Sequence, residues 1–90
     1  MHADDVAKAL NSPLNRMIIT LLCDHDMTAV ELFRRLGERA PTYRQSVNKA
    51  LESLKQKGLV RKYYDDNSKE LYYSIIRKKI TINLENMEIE

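Results

Sequence analysis

The chain contains no tryptophan, one phenylalanine and one cysteine in 90 residues. A core without those large rings has to be filled by Leu, Ile, Val and Met, helped by the tyrosines. The lone Cys23 excludes an internal disulfide framework and suits a reducing cytoplasm. No apolar run approaches the roughly 18 residues of a membrane span, and the acidic start, Asp4-Asp5, is unlike a secretory signal. There is no Gly/Ser linker, internal repeat or low-complexity tract. Nor does the sequence offer a nucleophile beside a base, a glycine-rich phosphate loop or a carboxylate pair suited to a pocket. The expectation is one small cytoplasmic domain that is not an enzyme, needs no cofactor and avoids the membrane.

What the chain does have is unevenly placed charge. The net charge is only +2, yet residues 37–79 carry 11 basic and 5 acidic side chains, a net of +6. Residues 1–36 stand at −1 and residues 80–90 at −3. Positive charge concentrated on one segment favours phosphate through counterion release, whatever the base sequence. A solvated face is the plainer explanation of the same excess.

The order of elements can be read from spacing and punctuation. Ala3, Val6, Ala7 and Leu10 form one stripe of a short first helix. Ser12 caps a second helix with Pro13 in its first turn, and Leu14, Met17, Ile18, Leu21 and Leu22 make it the most apolar of all. Asp24-His25-Asp26 ends it. Thr28 and Glu31 form a capping box between the staple residues Met27 and Leu32, and Gly37 suits the end of this third helix. Thr42 and Gln45 form a second box. The helix it opens has Tyr43, Val47, Ala50, Leu51 and Leu54 on its apolar side, and Gly58 closes it. At about 100° per residue, Gln45, Lys49, Glu52 and Gln56 point away from that side, with Arg44 and Asn48 on one shoulder. Leu59–Tyr64 and Leu71–Ile76 flank Asp65-Asp66-Asn67-Ser68 and read as a β-hairpin. In the tail, Ile80, Ile82 and Leu84 alternate as in a strand; Ile80, Leu84 and Met87 also fit a helical stripe, and β-branching favours the strand.

From about residue 6 to 77 the chain resembles the winged helix-turn-helix domains of ArsR-type and MarR-type transcription regulators. Ala9-Leu10-Asn11-Ser12-Pro13-Leu14-Asn15-Arg16-Met17-Ile18-Ile19-Thr20-Leu21-Leu22 is similar to the family's opening helices. Met27-Thr28-Ala29-Val30-Glu31-Leu32 resembles the start of its positioning helix. Ser46 to Val60 is similar to the recognition helix and its exit into the wing, and Leu71-Tyr72-Tyr73-Ser74-Ile75 to the returning wing strand. The connection Glu38–Thr42 is longer than the family's usual turn, and the tip Asp65-Asp66 is acidic where a phosphate-gripping wing prefers Arg or Lys. The resemblance implies an α+β, mostly α, winged helix-turn-helix over residues 1–79, with about four helices and a two- or three-stranded wing. Residues 80–90 follow as a tail. It further implies a sequence-specific regulator of transcription that binds double-stranded DNA as a homodimer, most simply a repressor.

On that reading Arg44, Gln45, Asn48 and Lys49 read or straddle bases, since Gln and Asn match adenine while Arg and Lys match guanine. Arg61, Lys62 and Lys69 reach phosphates from the hairpin, and Thr42 and Ser46 do so near the helix start. Val6, Leu10, Ile80, Ile82 and Leu84 are the expected dimer contacts, unless both ends fold back on their own domain. The five tyrosines read as half-buried packing rather than a stacking platform for single strands. Cys23-Asp24-His25-Asp26 lacks the further thiolates that a soft-metal site needs. The alternatives to a regulator are a protein-docking module and a non-specific chromatin-type binder. No pattern identifies a small-molecule effector.

Overall fold

Ser12 and Pro13 set the first sharp boundary. The Ser12 hydroxyl accepts from the Asn15 amide at 3.2 Å, and Pro13 opens the next helix where no amide donor is required. Similar punctuation divides the rest of the chain. In the computed structural model, which describes residues 1–90, the chain is an α+β fold built mostly of helix. The order is α1 (Ala3–Leu10), α2 (Pro13–Asp24), α3 (Ala29–Leu36), a 3-10 turn (Gly37–Arg39), α4 (Arg44–Gln56), β1 (Val60–Asp65), β2 (Glu70–Ile75), β3 (Ile82–Asn83) and β4 (Glu88–Ile89). None of the helices is long and apolar enough to cross a membrane.

β1 and β2 form an antiparallel hairpin in the register Val60↔Ile75 to Asp65↔Glu70. β3 and β4 form a second, much smaller one. Met27 exchanges two backbone hydrogen bonds with Tyr73, at 3.1 and 2.8 Å, so the α2–α3 turn adds a one-residue rung to the larger hairpin. Gly37 and Gly58 end α3 and α4 at φ 57° and 75°, a left-handed backbone that costs a side-chain-bearing residue about 1–2 kcal/mol.

The core is aliphatic, as the shortage of aromatics requires. Ile18, Leu22, Met27, Leu32, Val47, Leu51, Leu54 and Val60 are fully enclosed, and Tyr73 is the buried ring. α2 lies at the centre and packs against α1, α3, α4 and β2. Its second residue type of interest is polar: buried Asn15 donates to the Ala9 carbonyl at 2.9 Å, and Arg16 donates to the Leu10 carbonyl at 2.7 Å. These bonds satisfy carbonyls at the end of α1 that have no partner within that helix.

Four expectations need correction. The buried side of α1 is Val6 and Ala9, with Ala7 exposed and Leu10 at the rim, because the small Ala9 is what lets α1 lie close to α2. The Thr42–Gln45 box does not form. After the 3-10 turn the chain stays extended at Ala40 (ψ 145°), so Tyr43 takes the cap position of α4 with no side-chain bond, and its ring is left 68% exposed. The Thr28 box is half made. Thr28 accepts from the Glu31 amide at 3.1 Å, but the Glu31 carboxylate turns to His25 and Arg35.

The fourth concerns the dimer contacts. Val6 is enclosed in its own core and is not free for a partner, and Ile80 is half-buried against that core. The tail is held by backbone bonds from Ala3 to the Met87 carbonyl (2.7 Å) and from Ile89 to the Met1 carbonyl (2.8 Å). It therefore folds back on the N-terminal segment, with the Met1 amine 3.4 Å from Glu88. Leu10, Ile82 and Leu84 stay exposed, Leu84 at 78%.

Candidate nucleic-acid interface

α4 has two faces because its apolar residues recur at helical spacing. Val47, Leu51 and Leu54 anchor it in the core, while Arg44, Gln45, Asn48 and Lys49 are all exposed along its first two turns. Thr42 is exposed just before the helix, and Ser46 is half-buried beside it. The Arg44 guanidinium lies 5.7 Å from the centre of the Phe33 ring, which steadies the start of α4 on α3. The Ser46 amide donates to the Tyr43 carbonyl at 3.1 Å, but because Tyr43 contributes no capping side chain, the Arg44 and Gln45 amides have no protein acceptor. Such amides, with the helix dipole behind them, favour an anion.

The larger hairpin is aimed by contacts to α4 and to the α2–α3 turn. Lys62 Nζ sits 3.8 Å from a Glu52 oxygen and 5.6 Å from the Tyr73 ring centre. Glu52 also pairs with Lys55 at 3.5 Å. Lys62 is therefore partly neutralised, whereas Lys49 has no such partner. On the opposite face Tyr63 and Tyr72 stack with centroids 5.8 Å apart, and Arg61 lies 5.3 Å over the Tyr63 ring. The Tyr63 hydroxyl donates to the Asp26 carboxylate at 2.5 Å, and this bond raises the phenol above its ordinary pKa.

At the hairpin tip the Asp65 carboxylate accepts from the Ser68 hydroxyl at 2.8 Å and from the amides of Ser68 and Asn67. Those bonds hold its pKa below the usual carboxylate range, the Ser68 hydroxyl first among them. One of the two tip carboxylates is thus committed to the turn and held ionised there, so the tip keeps the acidic character that the sequence suggested. Lys69 follows at φ 58° and is exposed.

Several contributors lacked any local signal. Phe33 beneath Arg44, Glu52 opposite Lys62 and Asp26 under Tyr63 are all partners from other elements. Tyr43 was expected on the apolar side of α4, and instead adds an exposed ring to the candidate face. No three His, Cys, Asp or Glu side chains are grouped as a metal ion would require.

The turn that carries Asp26 and Met27 contains a titrating contact. His25 Nδ1 lies 2.9 Å from Asp24 and Nε2 lies 3.2 Å from Glu31, which also meets Arg35 at 3.4 Å. A neutral imidazole can donate from only one nitrogen, so both contacts are satisfied only by the imidazolium. The Asp24 bond, then the Glu31 bond, raises the His25 pKa above its ordinary 6.5. Stability from this source is fully present below about 6.5 and is lost as pH rises through the higher folded value. Thermal melts of the wild type and His25→Gln are expected to differ more at pH 6 than at pH 8.5. A constant gap across that window would mean that the network contributes nothing through protonation.

No protein-family model matches this chain, and no curated protein matches it in sequence.

Proposed function

We propose that the chain is a winged helix-turn-helix domain that binds double-stranded DNA with sequence preference and regulates transcription in the cytoplasm, as a homodimeric repressor acting by occupancy. α3 and α4 are the helix-turn-helix, α4 is the recognition helix, and the β1–β2 hairpin is the wing. The observation that carries this reading is the free face of α4: Arg44, Gln45, Asn48 and Lys49 point to solvent from a helix whose other side is locked in the core. Side chains at the start of such a helix are the ones that meet base edges in helix-turn-helix docking. Arg61 and Lys69 extend positive charge along the hairpin toward flanking phosphates, with Lys62 contributing what Glu52 leaves uncompensated. In a symmetric pair, two copies of α4 would enter successive major grooves about 34 Å apart.

One observation favours a different use of the same fold. Tyr64 and Leu71 pair across the hairpin, 54% and 48% exposed, and Leu71 shares a shallow groove with Val30 at the start of α3. An apolar patch at that position suits a protein partner.

Fluorescence-anisotropy titrations against a library of duplexes at 50 and 200 mM salt test the proposal. About four phosphate contacts predict roughly a hundredfold loss of affinity over that range, at a slope near −0.9 per contact. A regulator gives this loss together with a preferred site. Salt dependence without preference indicates a non-specific binder, and the absence of both overturns the reading in favour of protein docking.

A further inference from the structure

The end of the larger hairpin, the end of α1 and the residues leading into the tail enclose a groove of about 140 Å³. Leu10, Ile19, Ile75 and Ile80 form its walls, and Lys78 and Lys79 stand on its rim. Neither lysine takes part in an ion pair, whereas Arg77 beside them donates to the Glu90 carbonyl at 2.6 Å. The rim therefore already draws part of the acidic tail toward it, with two cations left over.

The tail carries the matching chemistry. Its β3–β4 turn presents Leu84, the most exposed of the large apolar side chains at 78%, followed by Glu85, whose carboxylate has no partner, and Met87 at 43%. The Glu85 amide donates to the Asn83 side chain at 2.9 Å, and Met87 sits at φ 60°, so the turn is a fixed shape and not a loose end. Backbone bonds to Met1 and Ala3 tie this small hairpin to the start of α1, while the groove is lined by Val6 and Leu10 further along that helix. None of the tip residues Leu84 to Met87 lines the groove of its own copy.

We propose that the β3–β4 tip of one copy seats Leu84 in the groove of a second copy, with Glu85 facing Lys78 and Lys79, and that the exchange is reciprocal. A two-fold axis makes every such contact twice, so two apolar insertions and two clusters of ion pairs close the dimer. The apolar walls give the affinity, and the charges on the rim select a tail with three glutamates over a neutral or basic surface. This assigns a physical contact to the pairing proposed above and rests on that reading only for its effect on DNA.

Sedimentation equilibrium of the intact chain tests it. The wild type should dimerise reversibly. Leu84→Asp and Glu85→Lys should each raise the dimer Kd about tenfold or more, as should Lys78→Glu with Lys79→Glu. Combining Glu85→Lys with both lysine reversals should recover most of the wild-type affinity. Leu84 and Glu85 are exposed, so far-UV circular dichroism should stay unchanged. A chain that remains monomeric at its highest soluble concentration overturns the inference. So does a dimer indifferent to Leu84 and Glu85, or a groove that binds a small apolar anion such as anilinonaphthalene sulfonate without loss of dimer. Binding of Leu84→Asp to a half-site duplex separates the two proposals, since it persists if only the dimer contact is wrong and is absent if the DNA reading is wrong.

Discussion

Replacing Asn48 and Lys49 together by alanine is expected to cut affinity for a preferred duplex by roughly thirtyfold or more, while affinity for random duplex falls far less. Each well-placed contact to a base edge is worth about 1–3 kcal/mol of discrimination, so even two weak ones amount to about 2 kcal/mol, or some thirtyfold. The alternative account treats both residues as ordinary solvated side chains. It predicts a loss for Lys49 alone, equal on every sequence, because a lysine near phosphate acts through charge. The structure makes the experiment clean. Both side chains are exposed on α4, and Val47 and Leu51, which hold the helix, are untouched. Alanine is the better helix former by about 0.5 kcal/mol per site, so the variant should melt no lower than the wild type. A selectivity profile unchanged by the pair would remove α4 as the reading element. Lys62→Ala serves as the comparison: with Glu52 only 3.8 Å away, its loss should weaken all duplexes slightly and alike.

Much of this arrangement was legible because it is local. Ser12 and Pro13 mark a helix start through bonds that reach no further than three residues, and the Thr28 cap works the same way. Gly37 and Gly58 mark helix ends because few other residues accept their backbone angles. The four candidate base-reading residues were legible for a related reason, since their position follows from the spacing of Val47, Leu51 and Leu54 alone. Capping failed as a guide at Thr42, where the motif was present but the 3-10 turn and the extended Ala40 carry the chain past it before the helix begins. In the tail, β-branching pointed to a strand and Ile82 does lie in one, but its pairing was not legible. β3 and β4 have two residues each, too few for a pattern, and what fixes them is a set of bonds to Met1 and Ala3 more than eighty residues away. Contacts such as Tyr63 to Asp26 and Lys62 to Glu52 depend on how elements pack, which composition and spacing do not encode.

Leu51→Ala is expected to lower unfolding stability by about 2–5 kcal/mol, the usual cost of a large-to-small change at an enclosed site. Leu51 is fully buried where α4 meets α2, α3 and β1, so the neighbours on every side are themselves fixed by packing. Collapse around the missing atoms would have to move α2, the central helix. A domain of this size has about 5–13 kcal/mol in total, and each kcal/mol is worth about 4–8 °C of melting temperature, so the midpoint should fall by some 10 °C or more. Leu51→Met keeps nearly the same volume and should cost less than about 1.5 kcal/mol. The pair also distinguishes stability from recognition. Loss of folded protein lowers the apparent affinity for every duplex by the same factor, and cooling or a stabilising osmolyte should restore it. Loss of Asn48 and Lys49 changes which duplex is preferred and cannot be restored that way. A cost below 1 kcal/mol for Leu51→Ala in urea unfolding would mean that α4 is not seated on α2 as described, and the orientation of its exposed face would fall with it.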